Sequence, residues 1–177
     1  MAKSRLKRKE MNYDQVLQHL MDDPTRSIVD IAQDIGTYRQ RIWREKKRLE
    51  EESIIWGYTA VVDELQMNHV SYMMFFKMKP MSKGMADILI ERILKEEPKR
   101  ENIRIINLHY INGEYDLVET FAAPDHTTAR KYFDKMRILY EDYLLDKPLM
   151  FDINFSLVLN GKRNPDLKTL YDFVPDF

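Results

Sequence analysis

The sequence contains no cysteine, so it has no disulfide bond, no thiolate zinc site and no cysteine nucleophile. No apolar run approaches the roughly 20 residues that a membrane-spanning helix needs. The segment at residues 1–10 is basic and lacks the apolar stretch of a secretory signal peptide. From these absences we expect a cytoplasmic protein that does not enter a membrane.

Motifs typical of enzymes are missing as well. The sequence has no G-x-G-x-x-G, no Walker-type phosphate loop and no G-x-S-x-G nucleophile elbow. The four histidines, His19, His69, His109 and His126, do not show the spacing of a metal site. The 11 methionines fall on the same stripes as leucine and isoleucine, which indicates core packing. We therefore predict no catalytic residue, no bound metal, no cofactor and no enzyme activity.

The charge distribution points to nucleic acid, although the net charge of the chain is only −1. Residues 1–60 carry 12 lysines and arginines against 10 acidic residues. Between Gly36 and Leu49, six basic residues stand against one acid, Glu45. A local excess of this kind is what phosphate binding requires, whatever the charge of the whole chain.

Three short helices are predicted before residue 54. The apolar residues of the first two recur at the spacing of one helix face. They are Tyr13, Val16, Leu17, Leu20 and Met21, followed by Ile28, Ile31, Ala32 and Ile35. Ser27 and Asp30 resemble a capping box at the start of the second helix. Gly36 is suited to end that helix. Thr37 and Gln40 repeat the capping pattern at the start of the third helix. Two short helices joined at a glycine turn are typical of a helix-turn-helix.

The third helix is predicted to read DNA. Arginine chelates guanine O6 and N7, glutamine pairs with adenine, and lysine neutralises phosphates. The residues expected on its exposed face are Tyr38, Arg39, Gln40, Arg41 and Arg44, with Lys47 and Arg48 on phosphates. The alternative is a solvated charged helix in a structural bundle, although its first three turns carry little compensating acid. Basic residues 3, 5, 7, 8 and 9 form either a DNA-contacting arm or a solubilising tail.

The remaining sequence alternates strands and helices. A hinge strand is predicted at Ile54–Asp63, and four more strands at Val70–Met78, Ile103–Ile111, Tyr115–Ala122 and Phe151–Leu159. Two helical stripes lie between them, one with Met85, Ile88, Leu89 and Ile93 and one running from Ala129 to Leu144. Asn112-Gly113 predicts a hairpin turn between the two middle strands, because both residues tolerate positive φ. The order β-α-β-β-α-β is the ferredoxin-like arrangement.

This sheet is expected to be apolar on both faces. Two helices cover only one face, and Met73, Phe75 and Val158 are predicted on the other. Sheet-against-sheet pairing of two copies about a two-fold axis would bury that face. The predicted protein is therefore a homodimer, or an assembly of dimers, whose paired helix-turn-helix units suit pseudo-palindromic DNA sites.

Two stretches of the sequence resemble the Lrp/AsnC family of feast/famine transcription regulators. One is residues 30–63, DIAQDIGTYRQRIWREKKRLEEESIIWGYTAVVD, which is similar to the family's helix-turn-helix and hinge strand. The other is residues 112–125, NGEYDLVETFAAPD, which is similar to the family's G-x-Y-D strand motif. With the strand and helix order, the resemblance extends over residues 11–160. The sequence departs from the family at Tyr38, where a small residue is usual, and at Ser53, where glycine is usual.

The resemblance implies a transcription regulator that binds double-stranded DNA and responds to an amino acid or a related metabolite. It places the effector near the turn formed by Gly113, Glu114, Tyr115 and Asp116, for which the alternative is a plain hairpin turn. A carboxylate beside exposed backbone amides suits an α-amino acid. Two other functions fit the same architecture: a sirohaem decarboxylase, which would use histidines and basic residues of the second domain, and an effector sensor that does not bind DNA.

The fold class that follows is α+β: an N-terminal winged-type helix-turn-helix of three helices, joined by a hinge strand to a ferredoxin-like βαββαβ domain. The predicted boundaries are 1–53 for the DNA-binding domain and 54–68 for the hinge strand and linker. Residues 69–160 form the dimerisation and effector-binding domain, and 161–177 form a C-terminal tail. The tail either packs on a neighbouring subunit, docks to a partner or is inert.

Overall fold

The computed structural model describes residues 15–95, 99–100 and 102–175. The chain divides into two compact units between Ala60 and Val61, each with its own hydrophobic core. Tyr13 and the basic residues at positions 3 to 9 lie outside the described residues. Among the described helices, none has both the length and the apolar character needed to cross a membrane.

The first unit is built from three helices: α1 (residues 15–22), α2 (Ile28–Ile35) and α3 (Arg39–Glu51). Their apolar faces meet in one core of Val16, Leu20, Ile31, Ala32, Ile42 and Leu49. The Ser27 hydroxyl accepts a hydrogen bond from the Asp30 amide at 3.1 Å, and Gly36 ends α2 at φ 71°. The three-helix prediction, the Ser27 cap and the glycine turn are therefore confirmed.

Both ends of α3 carry unusual residues. The cap predicted at Thr37 does not form, because Tyr38 occupies the N-cap position and offers no side-chain hydrogen bond to the helix. At the other end, Ser53 has a φ of 56°. The Ile54 amide, just after the helix, donates a hydrogen bond to the Leu49 carbonyl in its last turn at 2.9 Å. This is the Schellman arrangement, in which the left-handed residue is usually glycine. Ser53 therefore adopts a conformation that glycine reaches at lower cost.

The second unit contains a five-stranded antiparallel sheet and two helices. In chain order these are β1 (Val70–Phe76), α4 (Lys83–Lys95), β2 (Lys99–Arg100), β3 (Ile103–Tyr110), β4 (Leu117–Ala123), α5 (His126–Leu139) and β5 (Leu149–Ile153). The strand order across the sheet is β2-β3-β4-β1-β5. Without the two-residue β2, this is the predicted βαββαβ ferredoxin-like fold, which is confirmed.

The helices cover one face of the sheet, as the alternation in β1 predicts. Tyr72, Met74 and Phe76 are fully buried in the core that α4 and α5 complete. Met73 and Phe75 point to the opposite face and are half-buried. The two-sided character of β1 is therefore confirmed.

Two predicted strands are shorter or absent in the single chain. Residues 54–63 pair with no other strand of the described chain, so the hinge strand does not form within one copy. An isolated extended segment has no partner for its backbone hydrogen bonds, and β structure needs one. The strand predicted to run from Phe151 to Leu159 stops at Ile153, which pairs with Ser71 one residue from the start of its partner β1.

The tight asparagine-glycine turn lies at a different position from the predicted one. Neither Asn112 nor Gly113 has a positive φ, so the β3–β4 hairpin closes through a wider loop. Asn160 and Gly161 do adopt positive φ values, 46° and 76°, and join β6 (Val158–Leu159) to β7 (Lys162–Arg163). Val158 therefore belongs to this separate hairpin and not to the main sheet.

A buried charge network ties α4 to the sheet and to α5. Nη2 of Arg92 lies 2.9 Å from both carboxylate oxygens of Glu119, and Nη1 lies 2.7 Å from the Tyr140 hydroxyl. The Tyr132 hydroxyl donates to the same carboxylate. All four side chains are buried. The prediction placed Ile93 in the core of α4, but Ile93 is 49% exposed and Arg92 is the buried residue.

Candidate nucleic-acid interface

The outer face of α3 carries a cluster of positively charged side chains. Ile42 and Leu49 are buried in the three-helix core, so the residues on the other side of the helix face outward. The exposed residues of this surface, including the N-cap residue, are Tyr38, Arg39, Gln40, Arg41, Arg44 and Lys47. The structure thus brings six of the seven predicted DNA-contacting residues to one exposed helix surface.

Arg48, the seventh predicted residue, is in a different position. It is half-buried and forms an ion pair with Glu45, three residues earlier on α3. Lys47 is more exposed, and its ammonium group lies 3.5 Å from the Glu51 carboxylate. An exposed i,i+4 pair of this kind contributes little stability and is readily exchanged for a phosphate. Lys47 is therefore better placed than Arg48 to contact a DNA backbone.

Trp43 is a feature of this surface that the sequence reasoning missed. Its side chain is 52% exposed, and it lies three and four residues after Gln40 and Arg39, on the same face of α3. The Lys47 ammonium is 5.4 Å from the centre of its rings. The helical spacing to Arg39 was a signal available in the sequence.

The segment that follows α3 returns along the helix. The Tyr58 hydroxyl donates to a Glu50 carboxylate oxygen at 3.0 Å, and the Lys46 ammonium lies 4.8 Å from the Tyr58 ring. Burial, then the hydrogen bond and charge of Glu50, raise the pKa of Tyr58 to about 12. Lys46 is thus engaged by the linker segment and is not part of the exposed surface described above.

The predicted effector turn is anchored to the end of β1. One carboxylate oxygen of Asp116 accepts a hydrogen bond from the Met78 amide at 2.7 Å, and the Asp116 amide donates to the Phe76 carbonyl at 3.0 Å. The Tyr115 ring lies 5.3 Å from the Phe75 ring. Gly113 and Glu114 are exposed at the tip of the loop. Asp116 therefore has a structural contact in addition to any contact with a ligand.

Solved structures of the same fold include transcription regulators. An AsnC family transcriptional regulator from Agrobacterium tumefaciens superposes on this chain with a TM-score of 0.61 and is 16% identical to it in sequence. The match covers 90% of this chain and 96% of that chain. Escherichia coli AsnC has a TM-score of 0.61 and 14% identity, over 84% and 94% of the two chains. The chain has the fold of these regulators. The resemblance noted in the sequence is thereby confirmed for the fold.

A third structure of this fold, a transcriptional regulator from Neisseria meningitidis, is a complex with L-Met. It has a TM-score of 0.62 and 14% identity, and the match covers 83% of this chain and 90% of that chain. No protein-family model matches the sequence, and no curated protein matches it significantly. Over most of the chain, fold similarity therefore persists at a sequence identity too low to transfer individual residue roles.

The sheet face opposite the helices is apolar over β1 and β5. Phe75 and Phe151 pack edge to face, with ring centres 5.7 Å apart, and Phe151 is still 52% exposed. Leu149 and Met73 lie on the same face, because they pair in register with Phe75 and Phe151. Toward β3 the face becomes polar at Asn107 and His109. The apolar patch of Met73, Phe75, Leu149 and Phe151 thus includes the sheet edge at β5.

The four histidines lie on separate elements and do not form a cluster. His19 contacts Arg26, and His69 contacts the Met67 carbonyl. His126 contacts the Tyr72 hydroxyl, and His109 lies on β3. Within the part of the chain that the structure describes, no group of three or more histidine and acidic side chains is arranged to hold a metal ion.

Proposed function

We propose that this protein is a sequence-specific DNA-binding transcription regulator of the cytoplasm, not an enzyme, that acts as a homodimer and responds to an amino acid or related metabolite. The observation that supports DNA binding is the continuous exposed surface of α3, where Arg39, Gln40 and Arg44 project from a packed three-helix unit. These are the side chains that read guanine and adenine in the major groove. The regulators of known structure with this fold support the same function.

In this proposal the contacts on α3 divide into two classes. Arg39, Gln40, Arg41 and Arg44, with Tyr38, contact base edges, and Lys47 neutralises a phosphate. Arg48 contacts a phosphate only if it leaves Glu45, so its contribution is smaller than that of Lys47. Base contacts give sequence preference, whereas phosphate contacts give affinity that falls with salt.

The function is tested by titrating fluorescently labelled duplex DNA with the full chain and recording anisotropy at several salt concentrations. The DNA is selected from a random pool with the same protein, so that no operator is assumed. We expect the logarithm of the binding constant to fall linearly with the logarithm of salt concentration, because bound cations displace counterions. Binding that does not depend on salt, or no enrichment of any duplex, contradicts the proposal.

Homodimer formation is proposed through the apolar patch on the open sheet face. Met73, Phe75, Leu149 and Phe151 would be buried between two copies, with a gain of about 25 cal/mol for each Å² of apolar surface removed from water. A two-fold axis at this patch makes the same surface serve both copies. Two α3 helices would then be available to one DNA duplex.

Replacing Phe151 with aspartate is expected to raise the dimer dissociation constant at least about 100-fold, because an unpaired charge would be buried in an apolar interface. Sedimentation velocity measures the change. Leu94→Asp on α4 is the matched control, since Leu94 is an exposed apolar residue on the helix side of the unit. A dimer of unchanged strength in Phe151→Asp, or a monomeric parent protein, overturns the proposed interface.

The effector is proposed to bind beside the turn at Gly113, Glu114, Tyr115 and Asp116. The Asp116 carboxylate would pair with the α-amino group, and backbone amides of the exposed loop would hold the α-carboxylate. The Neisseria meningitidis regulator, a complex with L-Met, makes amino acids the first class of ligand to test.

Asp116→Asn is expected to remove the response to the effector and to leave DNA binding without effector unchanged. Asparagine keeps an oxygen that accepts the Met78 amide hydrogen bond but loses the charge that pairs with an ammonium group. The measurement is the shift in DNA affinity with each of the L-amino acids, L-methionine included. Asp116→Ala is the contrasting variant, in which loss of the Met78 bond should also lower stability by about 1–3 kcal/mol. A full response in Asp116→Asn removes Asp116 from the site.

A further inference from the structure

An indole ring occupies the part of α3 that the proposed function assigns to base reading. Trp43 is only half-buried, although tryptophan carries a large apolar surface that proteins usually cover. Arg39 and Gln40 lie one turn before it and Lys47 one turn after it, all on the exposed side. The apolar ring is therefore surrounded by polar and cationic side chains that suit a polyanion.

Trp43 also forms one wall of a notch between α2 and α3. The notch has a volume of about 320 Å³ and is lined by Trp43, Ile28, Val29, Arg39 and Gln40. Its lining is mostly apolar, and Val29 at the start of α2 is 48% exposed. An apolar notch bordered by an arginine and a glutamine is chemically suited to an apolar group that is attached to a hydrogen-bonding, anionic ligand.

Double-stranded DNA offers one such group in its major groove. The C5 methyl of thymine is the apolar feature by which base pairs differ there, and apolar side chains contact it directly. Its neighbours on the base edges are the acceptors and donors that arginine and glutamine read. The apolar lining of the notch and the charged and polar side chains at its border thus fit a thymine methyl beside a guanine or adenine.

We propose that the notch formed by Trp43, Val29 and Ile28 binds the C5 methyl group of a thymine, next to bases read by Arg39 and Gln40. This inference rests on the proposed DNA-binding function and adds a specificity determinant to it. Trp43 reads the base by apolar contact, whereas its neighbours read by hydrogen bonds. Each half-site of the bound DNA then contains a thymine whose methyl group contributes to affinity.

The experiment removes the methyl group and leaves base pairing intact. A duplex is selected from a random pool with the full chain, and each thymine in turn is replaced by deoxyuridine. Binding of the parent protein to every duplex is measured by fluorescence anisotropy at one fixed salt concentration. We expect at least one thymine in each half-site whose replacement weakens binding about fourfold, the effect of exposing one buried carbon group.

Variants assign the effect to Trp43. In Trp43→Ala the deoxyuridine and thymine duplexes should bind equally, and Trp43→Phe should retain part of the difference. Trp56→Ala is the matched control, because Trp56 is an exposed tryptophan of the same unit that lies outside α3, and it should keep the full difference. Circular dichroism checks that each variant folds.

Three results overturn the inference. The first is a parent protein that binds its selected duplex tightly but whose affinity does not change with any deoxyuridine replacement. A selected half-site that contains no thymine counts as the same result. The second is an undiminished difference in a folded Trp43→Ala. The third is the absence of any duplex binding, which overturns the proposed function itself and the inference with it. The first two leave the proposed function in place, so the two failures are distinguished.

Discussion

Replacing Arg92 with methionine is expected to lower the free energy of unfolding by about 3–5 kcal/mol, the usual loss when one partner of a buried ion pair is removed. Methionine keeps most of the length of the side chain, so the change removes charge and hydrogen bonds more than volume. Without the guanidinium, the buried Glu119 carboxylate loses the cation that lies 2.9 Å from both of its oxygens and keeps the hydrogen bond from the Tyr132 hydroxyl. Urea unfolding followed by circular dichroism at pH 7 measures the loss.

The ionisation of the network explains why the loss is large. Burial by itself lowers the pKa of Arg92, but the charge and hydrogen bond of Glu119, together with the neighbouring Tyr140 and Tyr132, outweigh burial and hold the pKa above its ordinary value. Burial, with Glu119 next, raises the pKa of Tyr132 as well. Because the folded-state pKa of Tyr132 is raised, its contribution to stability is complete below about pH 10 and is lost as the pH rises further. Neutral pH therefore leaves the network fully formed.

Two controls separate the buried pair from an ordinary charge deletion. Arg130→Met removes an exposed i,i+4 pair with Asp134 on α5 and should cost at most about 1 kcal/mol. The double variant Arg92→Met with Glu119→Gln removes both charges, so it should lose clearly less than the sum of the two single variants. A loss below 1 kcal/mol in Arg92→Met, or strict additivity in the double variant, contradicts the assignment.

The same network depends on a tertiary contact that local sequence pattern does not contain. Arg92 follows Met85, Ile88 and Leu89 at the spacing of one helix face. Glu119 likewise alternates with the core residues Leu117 and Phe121 on β4. Each residue alone is a charged side chain at a position where the pattern predicts an apolar one. Only the tertiary fold shows that Arg92 and Glu119 form an ion pair. Ile93 is apolar and was predicted in the core, but helical spacing from Met85, Ile88 and Leu89 places Arg92 there.

The elements that were predicted correctly are those set by local pattern. Alternation in β1, the Ser27 cap and Gly36 at the end of α2 depend on neighbours in sequence. Other elements depend on which strand is available for pairing, and local sequence pattern does not contain that information. These elements are the hinge segment, the end of β5 and the asparagine-glycine turn. For the candidate site, charge and helical spacing predicted seven residues, of which six are exposed on α3 or at its N-cap. They did not predict the notch at Trp43, because its other wall comes from α2.

Replacing Arg39 and Arg44 together with alanine is expected to weaken binding to the selected duplex at least about 30-fold. Each arginine that reads a base contributes about 1–3 kcal/mol, and the two lie more than one turn apart on α3, so their losses should nearly add. Both side chains are exposed, and Ile42 and Leu49 still anchor the helix, so the unit should remain folded. Anisotropy titration at several salt concentrations measures the loss.

The salt dependence of the variants tells base contacts from phosphate contacts. Lys47→Ala should weaken all duplexes equally and reduce the salt slope by about one, whereas Arg39→Ala and Arg44→Ala should mainly weaken the selected duplex. Arg130→Ala with Lys131→Ala removes the same charge from α5, outside the helix-turn-helix, and should change affinity less than twofold, about the loss from weak surface electrostatics. If the Arg39 and Arg44 double variant binds as tightly as the parent, this surface of α3 does not read DNA. If it weakens random and selected duplexes equally, the two arginines contact phosphates, and sequence reading then depends on Gln40 and on neighbouring residues of the same helix.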